Sequence, residues 1–153
     1  MTGMTAQDHK ECGYALFEAE KSGNQIGLLS QRFPEMDLDD AYAVQDNMLA
    51  AREAAGFRRI GWKIGLTSRA MQEALQIDTP DSGVLYDDML FANGATIPSS
   101  RFIQPRVEAE IAFILKSDLS NPNLTREDVL DATDYVAPAL ELLDTRIIRK
   151  DPA

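Results

Sequence analysis

The feature that constrains this chain most is the stretch Gln104–Leu115, in which apolar residues recur at every second position. A period of two predicts a β-strand, because successive side chains of a strand point to opposite faces. One face is then apolar, whereas the other carries Glu108 and Glu110 beside Ala112. Because that second face also holds apolar residues, we expect it to be partly buried, and two neighbouring carboxylates there need an explanation.

Two explanations remain open for the paired carboxylates. Glu108 and Glu110 are either a solvated strand face that meets water, or ligands of a divalent cation that turns their repulsion into attraction. A second predicted strand, Tyr135–Leu143, carries Glu141 inside an apolar run, where a carboxylate is not needed for solubility. If the two strands are neighbours, Glu141 supplies a third oxygen ligand, and three carboxylates with water suit a hard cation.

Composition limits the class of protein. The chain has 153 residues, of which 44% are hydrophobic and 26% charged, which predicts one domain with a real core. A formal charge of −10 repels phosphate backbones and anionic membranes, so we expect no nucleic acid and no membrane as partner. No apolar run could span a bilayer or act as a leader, and the single Cys12 excludes an internal disulfide. We therefore expect a cytoplasmic protein.

The residue types also limit the chemistry. With one histidine, His9, and one cysteine, a zinc site of the Cys/His type cannot be built within one chain. A Ser-His-Asp triad would depend on His9, which we expect to lie at a frayed terminus. No glycine-rich nucleotide loop occurs. Acid–base chemistry falls to Lys, Asp, Glu, Tyr or water, and oxygen ligands favour Mg²⁺ or Mn²⁺.

The remaining local patterns predict a mixture of helices and strands. Capping residues, apolar stripes and helix-ending glycines predict helices over Thr5–Lys21, Leu38–Ala55, Arg69–Gln76 and a brief one from Thr125 to Ala132. Alternation predicts a further strand over Arg58–Leu66. Turn residues predict a turn at Asp78–Gly83 and a hairpin at Asn93-Gly94.

Two further residues are candidates for chemistry. Lys63 lies on a predicted strand between Gly61 and Gly65, which leave room for a ligand or for another backbone. The alternative is an ordinary solvent-exposed lysine. Asp81 is a possible acid in its turn, or it merely accepts hydrogen bonds from the backbone of that turn.

Several short segments together resemble a known family. They occur in a fixed order, and they are Asp40–Gln45, Gly61–Ser68, Pro80–Gly83, Arg101–Ile103, Arg106–Glu110 and Ala137–Glu141. This set resembles the 2-oxoalkenoate hydratases and 4-oxalocrotonate decarboxylases of the fumarylacetoacetate hydrolase superfamily, which act in meta-cleavage degradation of aromatic compounds. Asp134–Val136 and the ending Asp151-Pro152 look most like the 2-oxohept-4-ene-1,7-dioate hydratases.

The resemblance implies roles for five residues and a fold. Glu108, Glu110 and Glu141 match three carboxylates that hold Mg²⁺ or Mn²⁺. Lys63 matches a lysine beside the substrate, and Asp81 an active-site acid in the turn after the short helix. The implied fold is α+β, a β-rich mixed roll of the fumarylacetoacetate hydrolase type with N-terminal helices packed outside. Residues 1–57 would form the helical segment and 58–153 the first part of the catalytic core, within one structural domain.

The implied activity is metal-dependent hydration of a small anionic 2-oxo acid by a homo-oligomer. We expect water addition to a 2-hydroxydienoate or 2-oxoalkenoate, namely 2-oxohept-4-ene-1,7-dioate. Alternatives are decarboxylation of a 2-oxo-3-enedioate on the same metal platform, a shortened non-catalytic partner subunit, or a domain without a site. Two departures from the family are expected: Trp62 replaces a smaller or polar residue and alters the pocket, and relatives continue beyond Ala153.

Overall fold

The computed structural model describes residues 3–148 and divides them into two compact units. Unit 1 runs to Arg101 and resumes at Arg146, and unit 2 is Phe102–Thr145. The regular elements of unit 1 are α1 (Ala6–Ser22), α2 (Leu29–Arg32), α3 (Leu38–Ala54), β1 (Arg59–Gly65), α4 (Arg69–Leu75), β2 (Asp81–Tyr86) and 3₁₀ turns at Asp87–Met89 and Ser99–Arg101. Those of unit 2 are β3 (Arg106–Leu115), α5 (Arg126–Ala132) and β4 (Thr133–Leu143).

Helices α1 and α3 pack together and confirm the predicted helices. Each begins with a capping box, formed by Thr5 with Asp8 and by Asp37 with Asp40. The two helix starts are joined because His9 Nε2 lies 2.7 Å from Asp40 Oδ1. The expectation of a frayed terminus at His9 is therefore wrong for this residue, which is part of α1.

The contact between α1 and α3 depends on a close backbone approach at Gly13. A Cβ atom on Gly13 would lie 2.7 Å from the Val44 carbonyl oxygen, so no larger residue fits without moving α3. The buried hydrophobic side chains of these two helices are Cys12, Phe17, Ala19, Val44, Met48 and Leu49. Burial raises the pKa of the Cys12 thiol, because the thiolate would lose its hydration.

Strands β1 and β2 form an antiparallel pair beside α3. Val84 and Tyr86 of β2 are buried together with Leu49 of α3, so one face of the pair completes the core. The predicted turn over Asp78–Gly83 is wrong for its second half, because β2 already begins at Asp81. The turn-like composition is overridden by backbone pairing with β1, which local sequence does not encode.

The predicted hairpin at Asn93-Gly94 is also wrong. Gly94 has a left-handed φ of 78°, and the dipeptide does form a turn. No strand follows it in the described segment up to the 3₁₀ turn at Ser99–Arg101. A tight turn forms a hairpin only when two flanking strands pair, and here the flanking residues have no such partner strand.

Unit 2 is a long antiparallel ribbon of β3 and β4, with α5 leading directly into β4. Thr125 and Asp128 form the predicted capping box of α5. Lys116 N–H donates to the Ala132 carbonyl oxygen at 2.8 Å, which joins the end of β3 to the end of α5. Pro138 lies within β4, opposite Ile111, in a strand that pairs only with β3 among the described residues.

A buried arginine ties the parts of unit 1 together. Arg52 of α3 is 1% exposed and donates hydrogen bonds to Glu20 and to Asp88, the latter at 2.6 Å. Its guanidinium carbon lies 4.5 Å and 4.6 Å from the ring centroids of Phe57 and Tyr86. A buried charge needs this degree of pairing, since an unpaired one is costly.

The same two carboxylates also hold the ends of unit 1 that flank unit 2. Arg101 Nη2 lies 2.5 Å from Asp88 Oδ2, and Arg146 Nε lies 2.8 Å from Glu20 Oε2. Next to Arg146, Ile147 forms a parallel bridge with Ile26. The chain therefore leaves and re-enters unit 1 at one ion-paired cluster.

The predicted mixture of helices and strands is confirmed, and the described strands form two separate two-stranded sheets. The division at residue 57 and the arrangement of a complete roll stay predictions. The resemblance at Asp151-Pro152 lies outside the described residues. None of the helices in residues 3–148 has both the length and the apolar character needed to cross a bilayer.

Candidate metal centre

Three glutamates meet on one face of the β3–β4 ribbon. Glu108 lies directly opposite Glu141 in the register, and Glu110 is two residues further along β3 on the same face. One carboxylate oxygen from each of the three lies within 4.8 Å of the others. The structure thus brings together the three carboxylates that the sequence singled out, because the two strands that carry them are paired neighbours.

The spacing of these oxygens suits one hard cation. Two oxygens bound to Ca²⁺ at about 2.4 Å span at most about 4.8 Å, and two bound to Mg²⁺ at about 2.1 Å span about 4.2 Å. The three oxygens lie within 4.8 Å of one another, so small side-chain rotations would let one cation of either size contact all three. Glu108 is exposed, whereas Glu110 and Glu141 are half-buried, so a cation has access from solvent.

Lys63 and Asp81 are placed together on the other strand pair. Lys63 lies opposite Gly83 and Gly65 lies opposite Asp81, so Lys63 and Asp81 are diagonal neighbours on one face. This is the face opposite to the one that Val84 presents to the core. The two residues belong to unit 1, and the three glutamates belong to unit 2.

The structure bears on two sequence expectations about this strand pair. Asp81 is the first residue of β2, not part of a turn after the short helix. Trp62 is 60% exposed and lies opposite Val84, on the other face of β1 from Lys63. Trp62 and Lys63 therefore point away from each other, and the expectation that Trp62 alters the pocket stays a prediction.

Side chains of α3 hold the start of β2 in place. The Ser82 N–H donates to the Tyr42 hydroxyl at 3.2 Å, and Gln45 Nε2 donates to the Ser82 carbonyl oxygen at 3.1 Å. Both backbone polar groups of the residue after Asp81 are therefore bound. No local pattern indicates this role of α3, although Tyr42 and Gln45 share a helix face by their spacing of three.

The residue after β1 has a strained backbone. Leu66 has a φ of 53°, in the left-handed region that is costly for a residue with a branched side chain. Gln72 of α4 donates to the Leu66 carbonyl oxygen at 2.6 Å and holds this conformation. Such strain is often found at functional sites. The left-handed φ of Leu66 could not be predicted, because a leucine gives no sign of such a backbone conformation.

Comparison with known proteins identifies relatives over almost the whole chain. The chain is 49% identical over 144 residues to a 2-oxo-hept-4-ene-1,7-dioate hydratase of Escherichia coli, and this match covers 94% of the chain and 54% of the relative. It is 47% identical over 144 residues, with the same two coverages, to a 2-keto-4-pentenoate hydratase of Paraburkholderia xenovorans. The chain is homologous to these two hydratases over the matched residues. The resemblance stated from its sequence is confirmed.

Solved structures of a decarboxylase resemble this chain closely. A 4-oxalocrotonate decarboxylase of Pseudomonas putida G7, complexed with magnesium and adipate, superposes with a TM-score of 0.87 at 34% identity and covers 96% of this chain. The same enzyme complexed with calcium and acetate gives the same TM-score. The present chain spans about half the length of the curated relatives that it matches. No protein-family model matches it.

Proposed function

We propose that Glu108, Glu110 and Glu141 hold a divalent cation, Mg²⁺ or Mn²⁺, in a metal-dependent hydratase. The observation that carries this proposal is the approach of one oxygen from each carboxylate to within 4.8 Å. All three donors are hard oxygen ligands, which is the chemistry that these cations prefer. The magnesium and calcium complexes of the decarboxylase neighbour support the assignment.

The proposed substrate is a small anionic 2-oxo acid. We infer 2-oxohept-4-ene-1,7-dioate as substrate and 4-hydroxy-2-oxoheptane-1,7-dioate as product, on the strength of 49% identity to the E. coli hydratase. Protonation of the dienol form at C5 gives a conjugated 2-oxo-3-ene. Water then adds across C3 and C4, with the hydroxyl on C4. We extend the proposal to the β-rich roll and the homo-oligomer that the family resemblance implies.

The roles of the groups follow from their chemistry. A bound cation would supply Lewis-acid stabilisation of negative charge on the substrate's 2-oxygen. Lys63 is assigned to bind the anionic end of the substrate or to move a proton. Asp81 is assigned to position the attacking water or to act as its base. The net negative chain makes such a cationic residue necessary, since the substrate is itself an anion.

Metal titration tests the ligand set. In calorimetry with Mn²⁺, Glu108→Gln combined with Glu110→Gln is expected to weaken binding by more than about tenfold, or about 1.4 kcal/mol. The matched control is Glu35→Gln combined with Glu73→Gln, which removes the same charge from two exposed positions outside β3 and β4. Full metal affinity in the first double variant would overturn the proposed ligand set.

Product analysis separates hydration from decarboxylation. The decarboxylase is the second candidate because its solved structure superposes on this chain with a TM-score of 0.87. A hydratase consumes dienol absorbance in a metal-dependent way and accumulates a 4-hydroxy-2-oxo acid without releasing gas. Release of one CO₂ per substrate, with no hydroxylated product, would favour the decarboxylase instead.

A further inference from the structure

The carboxylate of Asp81 occupies the space that a side chain on Gly65 would need. The two residues face each other across the β1–β2 pair. A Cβ atom on Gly65 would overlap Asp81 Oδ1 and would lie 3.1 Å from Cγ and 3.6 Å from Oδ2. Gly65 does not have a left-handed φ, so backbone freedom does not explain the glycine. The glycine is explained by the space that the Asp81 carboxylate occupies.

We infer that Gly65 is a positioning residue for Asp81, and this inference rests on the proposed hydratase function. The absence of a side chain lets the Asp81 carboxylate lie flat over β1 instead of standing away from it. The register places Lys63 on the same face, two residues from Gly65. Gly65 therefore sets where the proposed base of water addition stands relative to Lys63, without contacting substrate itself.

The backbone beneath Asp81 cannot easily move to accept a larger residue. Ser82, the next residue, is held through both its N–H and its carbonyl by Tyr42 and Gln45. On the opposite strand, Leu66 follows Gly65 and is held by Gln72. With both strands fixed from outside, the part that yields to a methyl group on Gly65 is the exposed end of the Asp81 side chain.

Gly65→Ala is thus expected to preserve the fold and displace one carboxylate. Alanine loses less backbone conformational entropy than glycine on folding, which opposes any cost of the local shift. A displacement of about 1 Å at a catalytic group costs about 10²-fold in rate. We expect kcat to fall by about that factor, with KM changed less than about threefold.

The first test does not depend on turnover. The ¹³Cγ resonance of Asp81, assigned by its loss in Asp81→Asn, is expected to move in Gly65→Ala. The matched control is Gly61→Ala on the same strand, where a new Cβ would meet only Leu85 Cδ1 at 3.9 Å, an ordinary contact. That control should leave the resonance in place. An unmoved resonance in Gly65→Ala would overturn the inference.

The second test asks whether Gly65 acts through Asp81. In an Asp81→Asn background, Gly65→Ala is expected to lower the remaining kcat by less than about twofold, because the displaced carboxylate no longer exists. An equal loss in both backgrounds would mean that Gly65 acts elsewhere and would overturn the inference. A wild-type protein without hydratase turnover would overturn the proposed function, while the carbon resonance would still decide whether Gly65 positions Asp81.

Discussion

Unit 1 and unit 2 use apolar residues in different ways. In unit 1, Val44 is 2% exposed and Tyr86 is fully buried, within a core shared by two helices and a strand. In unit 2, Ile111 is 67% exposed and Leu140 is 74% exposed, although both belong to the alternating apolar face of the ribbon. Apolar patterning therefore predicts which face a residue occupies, but it does not predict how far that face is buried.

The two units also treat charge differently. Unit 1 encloses Arg52 and neutralises it with Glu20 and Asp88. Unit 2 places Glu108 and Glu141 opposite each other, where like charges destabilise the pair unless a cation joins them. The ion pairs of Arg52 hold the fold of unit 1 together, whereas the carboxylates gathered on one face of the ribbon offer oxygen ligands to a cation.

Removing the buried arginine should have the largest effect on the unfolding free energy. Arg52→Met is expected to cost about 3 kcal/mol of unfolding free energy, because it leaves two carboxylates in a poorly hydrated site. The cost lies at the low end for buried pairs, since Arg101 and Arg146 remain as partners. Urea unfolding measures it. The control is Arg58→Met, whose side chain is 83% exposed and whose pair should contribute less than about 1 kcal/mol.

The same valine-to-alanine substitution in the two units should give a smaller difference in unfolding free energy. Val44→Ala is expected to cost about 2 kcal/mol, because it removes two methyl groups from a filled core. Val107→Ala, at a position that is 62% exposed, should stay within about 0.5 kcal/mol. Urea unfolding of both variants measures the two changes in unfolding free energy. Equal costs would show that the apolar face of the ribbon is buried in solution.

The smallest expected effect concerns the start of α5 in unit 2. Thr125→Ala should cost about 1 kcal/mol through loss of the N-cap. Hydrogen bonds from the Thr125 backbone N–H and hydroxyl hold the pKa of Asp128 below its ordinary value of 3.8. Because the folded-state pKa of Asp128 is depressed, the stabilisation from its ionised carboxylate is complete well above pH 3.8. This stabilisation is lost as the pH falls through the folded-state pKa.

The pH dependence can be measured with Asp128→Asn. The difference in unfolding free energy between wild type and this variant should be largest near pH 7 and should shrink as the pH is lowered below about 4. Asp131→Asn in the same helix serves as the control for charge. A difference that grows towards acid pH would contradict the assignment of the hydrogen bonds to the folded state.

Sequence alone predicted the elements whose signals are local. The capping residues Asp37 and Thr125 and the alternation of β3 depend on residues within a few positions of each other. The hairpin at Asn93-Gly94 and the turn at Asp81 were wrong, because strand formation there depends on distant partners. Arg52 was missed, although it continues the four-residue spacing of the buried stripe, because a charged residue on a helix normally predicts an exposed face.

Only part of the candidate site could be predicted from local sequence patterns. An acidic residue inside an apolar run gave Glu141 as a candidate before any pairing was known. The positions of Lys63 and Asp81 came from the family resemblance, and their common face became visible only with the strand register. Contacts such as that of Tyr42 with Ser82 join residues forty positions apart, and no local pattern encodes them.

The ion pairs of Arg101 and Arg146 have a consequence for how this chain can be altered. Both bind carboxylates that also bind Arg52, so the segment between them begins and ends at one anchored point of unit 1. A segment entered and left at one place can be lengthened, exchanged or excised with little strain on its host. We therefore expect a short glycine linker from Arg101 to Arg146 to leave the fold of unit 1 intact.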